Sequence, residues 1–322
     1  MKLVTYRLPE EPLARNRVGA LEDEAVVELS GAAAPEGGGS TGPPVPDSVL
    51  DLLRQGHKGL ARARRVADDP EGAGAQRLDL SAVELLAPLP RPNSLRDFML
   101  VEEHVRNSLG DVPEEWYRIP VYWKGNVDTV LGPEATVPWP YYTDKLDYEL
   151  EMGAVIGREA SRVTVDEAWE CIAGYTIFND WSARDIQFRE MSVGLGPGLS
   201  KDFATSIGPC LVLADAIDIG SARMTARVNG EVWSEGTLGA MRFSFAEVIS
   251  HLSQEQPLRP GDVLGSGTVG RGCGLELDRW IAPGDVVELE VDGIGVLRNV
   301  VGDKHEPPAA GAGVPSVLAG RT

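Results

Sequence analysis

Histidine and cysteine are scarce, with four and three residues in a chain of 322. Cys171, Cys210 and Cys273 are odd in number, far apart and without a Cys-x-x-Cys pair. That argues against a disulfide framework and a zinc site, and fits a reducing cytoplasm. Basic residues are outnumbered by 49 acidic to 30, and the formal charge of −19 repels phosphate backbones and anionic membranes. Neither nucleic acid nor a membrane is therefore expected as a partner, and a small anionic substrate must be captured by a local cation. No apolar run reaches the length of a membrane span, and Met1–Tyr6 lacks the basic-then-apolar order of an export signal, so the expectation is a soluble, unexported protein. No Gly-x-Ser-x-Gly elbow occurs and no cysteine neighbours a histidine in sequence, which leaves acid–base and metal chemistry ahead of covalent catalysis. The glycine-rich run Gly194–Thr205 has no Gly-Lys-Ser/Thr at the offset a phosphate loop requires, so Lys201 reads better as a lysine buried beside carboxylates.

What is present is ordinary for a globular chain: 43% hydrophobic and 25% charged residues in 34.5 kDa, enough for a small domain and a larger one. Short strands are expected at Lys2–Leu8, Arg17–Leu21 and Ala25–Leu29, followed by a Gly/Pro-rich linker or loop at 31–46. Asp47 is expected to cap a helix through Leu50 and Leu53 that stops at Gly56. The apolar run Val83–Leu89 ends in Pro90, Pro92 and Asn93, which places a boundary near residue 90. An accessory domain of residues 1–90, a main domain of 91–303 and a flexible tail of 304–322 follow from it. In the main domain, Asn229-Gly230 and Asp292-Gly293 mark hairpin turns, and Pro260-Gly261-Asp262 and Pro283-Gly284-Asp285 each open an apolar strand. Two helices begin with capping boxes, Thr164 with Glu167 and Ser244 with Glu247. The rest reads as β, so the fold class is α+β, mainly β.

The stretch Leu146–Gly157 alternates apolar and acidic residues, which on a strand puts Asp147, Glu149 and Glu151 on one face. If that face is buried, as Leu150, Ala154 and Ile156 suggest, the carboxylates repel one another unless a hard divalent ion joins them. A half-exposed strand with a solvated acidic edge is the plainer alternative. A second acidic cluster follows at Gly174–Gln187, where Asp180 ends an apolar strand and Arg184 and Gln187 stand at helical spacing. His104 stands out from the other histidines only through its company: Asp97 lies seven residues earlier and glutamates flank it.

Together these segments resemble the fumarylacetoacetate hydrolase superfamily over about Leu95 to Val301. The strongest matches are Asp147–Gly157, Phe178–Gln187, Gly196–Thr205 and Gly261–Thr268. The resemblance implies a mixed β-roll with a small N-terminal α/β accessory domain, assembled as a homodimer. It implies Asp97, Glu149, Glu151 and Asp180 as metal-binding carboxylates, His104 as general base and Glu276 as the glutamate orienting it. Lys201 and Thr205 would border the metal, with Lys201 also catalytic, while Arg184, Gln187, Thr268 and Trp123 would meet substrate or an oxyanion. Met99, Trp123 and Met191 stand where fumarylacetoacetate enzymes place tyrosines, which tells against fumarylacetoacetate itself as substrate. Relatives of the acylpyruvase kind carry a glutamate three residues after the histidine; Asn107 stands there, so Glu276 is the partner expected.

The carboxylate set suits Mg²⁺, with Mn²⁺ or Ca²⁺ as alternatives. The implied activity is hydrolytic carbon–carbon cleavage of a 1,3-diketo acid or acylpyruvate, His104 activating water and a metal-stabilised enolate leaving. The alternatives are decarboxylation or isomerisation of a 2-oxo or 2-hydroxydienoate diacid, which needs the same enolate without water, and a non-catalytic protein whose acidic cluster fixes a structural cation.

Overall fold

The computed structural model describes residues 1–11, 15–36 and 40–307. Its centre is a mixed twelve-stranded sheet. Ten strands run side by side in the order Arg77–Asp79, Ala25–Glu28, Arg17–Glu22, Lys2–Arg7, Thr205–Leu213, Ile172–Asp180, Glu151–Ile156, Asp262–Gly265, Ser94–Phe98 and Tyr122–Gly125. Lys2 and Leu3 pair with Val212 and Leu211, so the N-terminal strands continue the sheet of the larger region. The boundary expected near residue 90 falls between two strands of this sheet, Glu84–Leu86 and Ser94–Phe98.

The middle of the sheet is buried on both faces, and side-chain alternation divides it between two cores. Met152, Ala154 and Ile156 enter one core with Tyr175, Ile177, Phe245 and Leu289. Val155, Ala173 and Phe178 enter the other, with Leu52, Leu53, Ala63 and Val66 of two N-terminal helices. A strand covered on both sides reads as a continuous apolar run, which is why Ile172–Asp180 shows no polar face. Each buried Leu, Ile or Phe side chain contributes about 1.5–3 kcal/mol relative to exposure. A second sheet of five strands, Thr136–Trp139, Gly295–Lys304, Val286–Val291, Met224–Val228 and Glu231–Gly236, packs over the first core.

Both expected capping boxes form, at the helices Val165–Trp169 and Phe245–Ser253. Asn229 and Gly230, both at positive φ, make the two-residue hairpin turn. At Asp292-Gly293 the loop takes a third residue, Ile294, before Gly295 pairs with Val291. The helix expected after Asp47 is capped instead by Ser48, whose hydroxyl accepts from Asp51 N at 3.3 Å. It ends at Arg54, and the basic Ala-rich piece beyond forms a second helix, Gly56–Asp68. Within the segment expected as linker or loop, Pro35–Glu36 and Ser40–Thr41 pair as short strands, and residues 37–39 lie outside the described residues. Of the expected tail, Lys304 ends a strand and residues 308–322 lie outside the described residues. No described helix is long and apolar enough to cross a membrane.

Candidate active site

Strand register brings the acidic residues together at one end of the central sheet. Glu151 pairs with Phe178 two residues before Asp180, Asp180 with Thr205, and Gly265 with Asp97. Carboxylate oxygens of Asp97, Glu149 and Glu151 lie within 4.8 Å of one another, and all three residues are buried. Gly265 makes room for them: a Cβ there would sit 2.3 Å from Asp97 Oδ1 and 3.3 Å from Glu151 Oε2. At the next turn Gly267 holds φ +75° against Phe98 O and sends its N–H 3.3 Å to Asp97 Oδ1.

The acidic stretch is not the single strand that its alternation suggests. Leu146–Asp147 and Glu151–Ile156 are separate strands, and between them the backbone turns to pair with the segment 269–273. Asp147 therefore leaves the face shared by Glu149 and Glu151. Its Oδ2 accepts from Arg184 Nε at 2.8 Å and Leu275 N at 3.0 Å, and its Oδ1 from Gly274 N at 2.7 Å and Tyr148 N at 2.9 Å.

Two buried cations lie among the remaining carboxylates. Lys201 Nζ bonds Glu149 Oε2 and lies 2.6 Å from Asp180 Oδ2, while Arg184 reaches Glu149 Oε1 at 2.9 Å. Burial pushes the Glu149 carboxyl up, but Lys201, Arg184 and His104 outweigh it and hold Glu149 below the usual range. Asp180 has only Lys201, so burial wins and its pKa rises well above normal. Glu151 rises similarly, through burial and the neighbouring Asp97 and Glu149, and Asp97 rises through burial. Burial lowers the Lys201 ammonium, yet Asp180 and Glu149 outweigh it and keep the charged form favoured.

Two oxygens are left over. Glu151 Oε2 and Asp180 Oδ1 are buried and accept no hydrogen bond, although Glu151 Oε1 accepts from Thr268 Oγ1 at 3.1 Å. Bare buried carboxylate oxygens in a cluster with more anions than cations fit a hard divalent ion, which takes oxygen ligands and relieves the repulsion.

Beside this cluster, the helix Glu102–Leu109 carries His104, whose Nδ1 lies 2.7 Å from Glu276 Oε1. Glu276 Oε2 accepts from Asn107 Nδ2 at 2.7 Å and Arg271 N at 2.9 Å, and Cys273 Sγ lies 3.5 Å from Oε1. Burial raises the Glu276 carboxyl, but the bonds from His104, Asn107 and Arg271 outweigh it and leave Glu276 below the usual range.

Acidic cluster and dyad open on one cavity of about 220 Å³. Of the residues expected from sequence, Asp97, His104, Trp123, Glu149, Glu151, Arg184, Gln187, Lys201 and Thr268 line it. Asp180, Thr205 and Glu276 stand behind that wall: Asp180 through Lys201, Glu276 through His104, and Thr205 as the buried strand partner of Asp180. Trp123 Nε1 donates to Asp97 Oδ2 at 3.2 Å, and Arg184 Nη1 to Gln187 Oε1 at 3.0 Å. Sequence reasoning missed three contributors. Asn179 fixes Glu149 by accepting from its N–H at 2.9 Å, Asn107 holds the far oxygen of Glu276, and Ser108 Oγ lines the cavity buried and unpartnered. Ser108 follows His104 by four residues on one helix, and that spacing was the available signal.

Residues 95–302 match the model of the fumarylacetoacetate (FAA) hydrolase C-terminal family. An oxaloacetate tautomerase of Bacillus subtilis, YisK, is 32% identical over 273 residues, covering 80% of this chain and 87% of the relative. The human mitochondrial oxaloacetate tautomerase FAHD2A is 31% identical over 262 residues, covering 80% and 81%. Among solved structures, the fumarylacetoacetate hydrolase of Exiguobacterium antarcticum superposes with a TM-score of 0.74 at 26% identity, over 94% of this chain and 99% of that one. With the family model matching residues 95–302, well over half of the chain, and the fold shared, this chain belongs to the fumarylacetoacetate hydrolase family.

Proposed function

We propose that the protein enolises a 2-oxo acid, with keto–enol interconversion as the complete reaction. The observation that carries the reading is the His104–Glu276 pair opening on the same cavity as three clustered carboxylates with a bare buried oxygen among them. The names of the two tautomerase relatives support it. Asp97, Glu149 and Glu151, with Asp180 behind, would hold a divalent cation, Mg²⁺ in the first instance with Mn²⁺ or Ca²⁺ as alternatives. Such an ion supplies Lewis acidity toward the paired oxygens of a 2-oxo acid.

The chain's own residues account for the proton. Glu276, kept ionised, accepts the Nδ1–H of His104 and so leaves Nε2 with a lone pair. That nitrogen takes a proton from the carbon next to the carbonyl and returns it to carbon or oxygen. Lys201 is buried, held in its charged form and beside the same cavity, where it opposes the negative charge that develops on the carbonyl oxygen. Gln187 is held by Arg184, and Thr268 by Glu151, at the cavity wall.

Hydrolytic carbon–carbon cleavage would use the same dyad with water in place of the C–H bond, and the same residues support it. Incubation in ¹⁸O-water separates the two, because only hydrolysis puts the label into a new carboxylate. The test of the main reading is exchange of the C3 hydrogens for deuterium in D₂O with Mg²⁺ present, followed by NMR. His104→Ala should slow it by about 10²–10⁴-fold with metal affinity intact; full exchange in that variant would refute the base. Assembly as a cytoplasmic homodimer belongs to this reading too, and sedimentation of the purified protein tests the dimer.

A further inference from the structure

The cavity wall offers few groups that could meet a second charge on a substrate. Among the described residues that line the cavity, the cationic side chains are Arg184 and Lys201, and both are already engaged. Arg184 is held by Asp147 and Glu149, and Lys201 by Glu149 and Asp180. His104 is tied to Glu276, a pair with no net positive charge. Beyond these and the three clustered carboxylates the wall is uncharged and mostly apolar, with Met99, Leu109, Val121, Phe188, Met191 and Leu275. Phe188 and Leu109 are 48% and 46% exposed, so the apolar surface continues to the mouth. Among these uncharged residues Ser108 Oγ is buried without a hydrogen-bond partner; Arg184 Nη2 also lacks one, but it is ion-paired with Glu149 Oε1 at 2.9 Å.

We infer that the cavity takes a 2-oxo acid whose far end is uncharged and largely apolar, with room for one neutral acceptor at Ser108, in preference to a dicarboxylate. The inference rests on the proposed enolisation for the 2-oxo acid end alone. A second carboxylate entering this space would lose water, gain no free cation and meet the field of a chain with formal charge −19. An alkyl or aryl tail would instead cover side chains that are otherwise wet.

Oxamates are 2-oxo acid isosteres that cannot enolise, so they report binding without turnover. Calorimetric titration with Mg²⁺ present should show N-isobutyl oxamate binding on the order of 100-fold more tightly than N-oxalylglycine, which carries a second carboxylate. Equal affinities, tighter binding of the diacid, or no binding of either would overturn the inference. Met191→Arg puts a free guanidinium at the rim and should narrow the preference by about tenfold; Leu109→Lys makes the same change on the neighbouring helix, should the first variant fold poorly. An unchanged preference in a folded variant would also overturn the assignment. Retained oxamate preference with no C3 exchange in 4-methyl-2-oxopentanoate or oxaloacetate would sink the enolisation reading alone. Faster exchange in oxaloacetate, with the diacid isostere bound more tightly, would sink this inference alone.

Discussion

Asp147 and Glu151 are four residues apart and equally buried, at 1% and 0% exposure, yet they sit in opposite surroundings. Asp147 has a partner at each oxygen, including a guanidinium and three backbone amides. Glu151 has one neutral donor, two carboxylate neighbours and an oxygen that nothing in the protein satisfies. Burial raises both pKa values; at Asp147 the Arg184 guanidinium and the Leu275 amide oppose the rise, whereas at Glu151 the neighbouring Asp97, Glu149 and Asp180 all add to it. The first arrangement is a brace between the 146–151 segment and the start of the short helix Gly274–Leu277, complete within the protein. The second is stable only when positive charge or protons arrive from outside. Burial alone does not separate a structural carboxylate from a ligand; the accounting of its oxygens does.

Substitution should split the two. Glu151→Gln keeps the shape and removes a buried anion, so metal affinity and activity should vanish together while the metal-free fold is retained. Calorimetry with Mg²⁺ reads the first and urea unfolding the second, and unchanged Mg²⁺ affinity would break the comparison. Asp147→Asn should do the reverse: it leaves Arg184 without its closest anion and weakens the start of the helix Gly274–Leu277, at a cost of about 3–5 kcal/mol in unfolding free energy. The folded fraction should still bind metal. Loss of metal affinity at full stability in that variant would make Asp147 a ligand and not a brace.

Much of this was legible in the sequence, and the part that was not has a physical reason. Period-two alternation located the acidic residues, and capping boxes fixed two helices, because both signals are local. Alternation could not show that the strand breaks at 148–150, since that break is set by pairing with residues 269–273, more than a hundred positions away. For the same reason Asp147, Glu149 and Glu151 looked equivalent. The pairing of His104 with Glu276 was reached by family resemblance across a sequence gap, and the two residues meet at 2.7 Å. Arg184, expected at the substrate, is 2% exposed and committed to Asp147 and Glu149, a state that only the folded chain reveals. The apolar wall at Phe188 and Met191 was invisible because one helix turn carries it beside polar residues that were read as the functional ones.

The same contrast predicts how the metal-free protein responds to pH. The folded-state pKa values of Glu151, Asp180 and Asp97 stand above their unfolded values. Their contribution to stability is therefore fully present below the ordinary carboxylate range and is lost as pH rises through the raised values. Glu149 works the other way, but its window lies below the ordinary range. Between mildly acidic and neutral pH the metal-free melting temperature should fall. Mg²⁺ at about 100 times its Kd should restore about 2.7 kcal/mol at neutral pH, because it binds the ionised set. A metal-free protein that gains stability over that range would show the oxygens to be satisfied.

The smallest expected effect sharpens the comparison at the dyad. Glu276, like Asp147, has a partner at each oxygen, and one of them, Asn107, is exposed. Removing a single bond from an exposed amide while His104 and Arg271 N remain should cost about 1 kcal/mol. Asn107→Ala should therefore lower kcat about five- to tenfold, by letting Glu276 and hence the His104 ring move, without changing Mg²⁺ affinity or KM. Asn107→Asp places a second carboxylate against Glu276 and should lower kcat further, since like charges raise the Glu276 pKa and weaken its hold on Nδ1–H. If both variants instead raised KM with kcat intact, Asn107 would belong to the cavity wall, and the satisfied carboxylate behind His104 would not be what orients it.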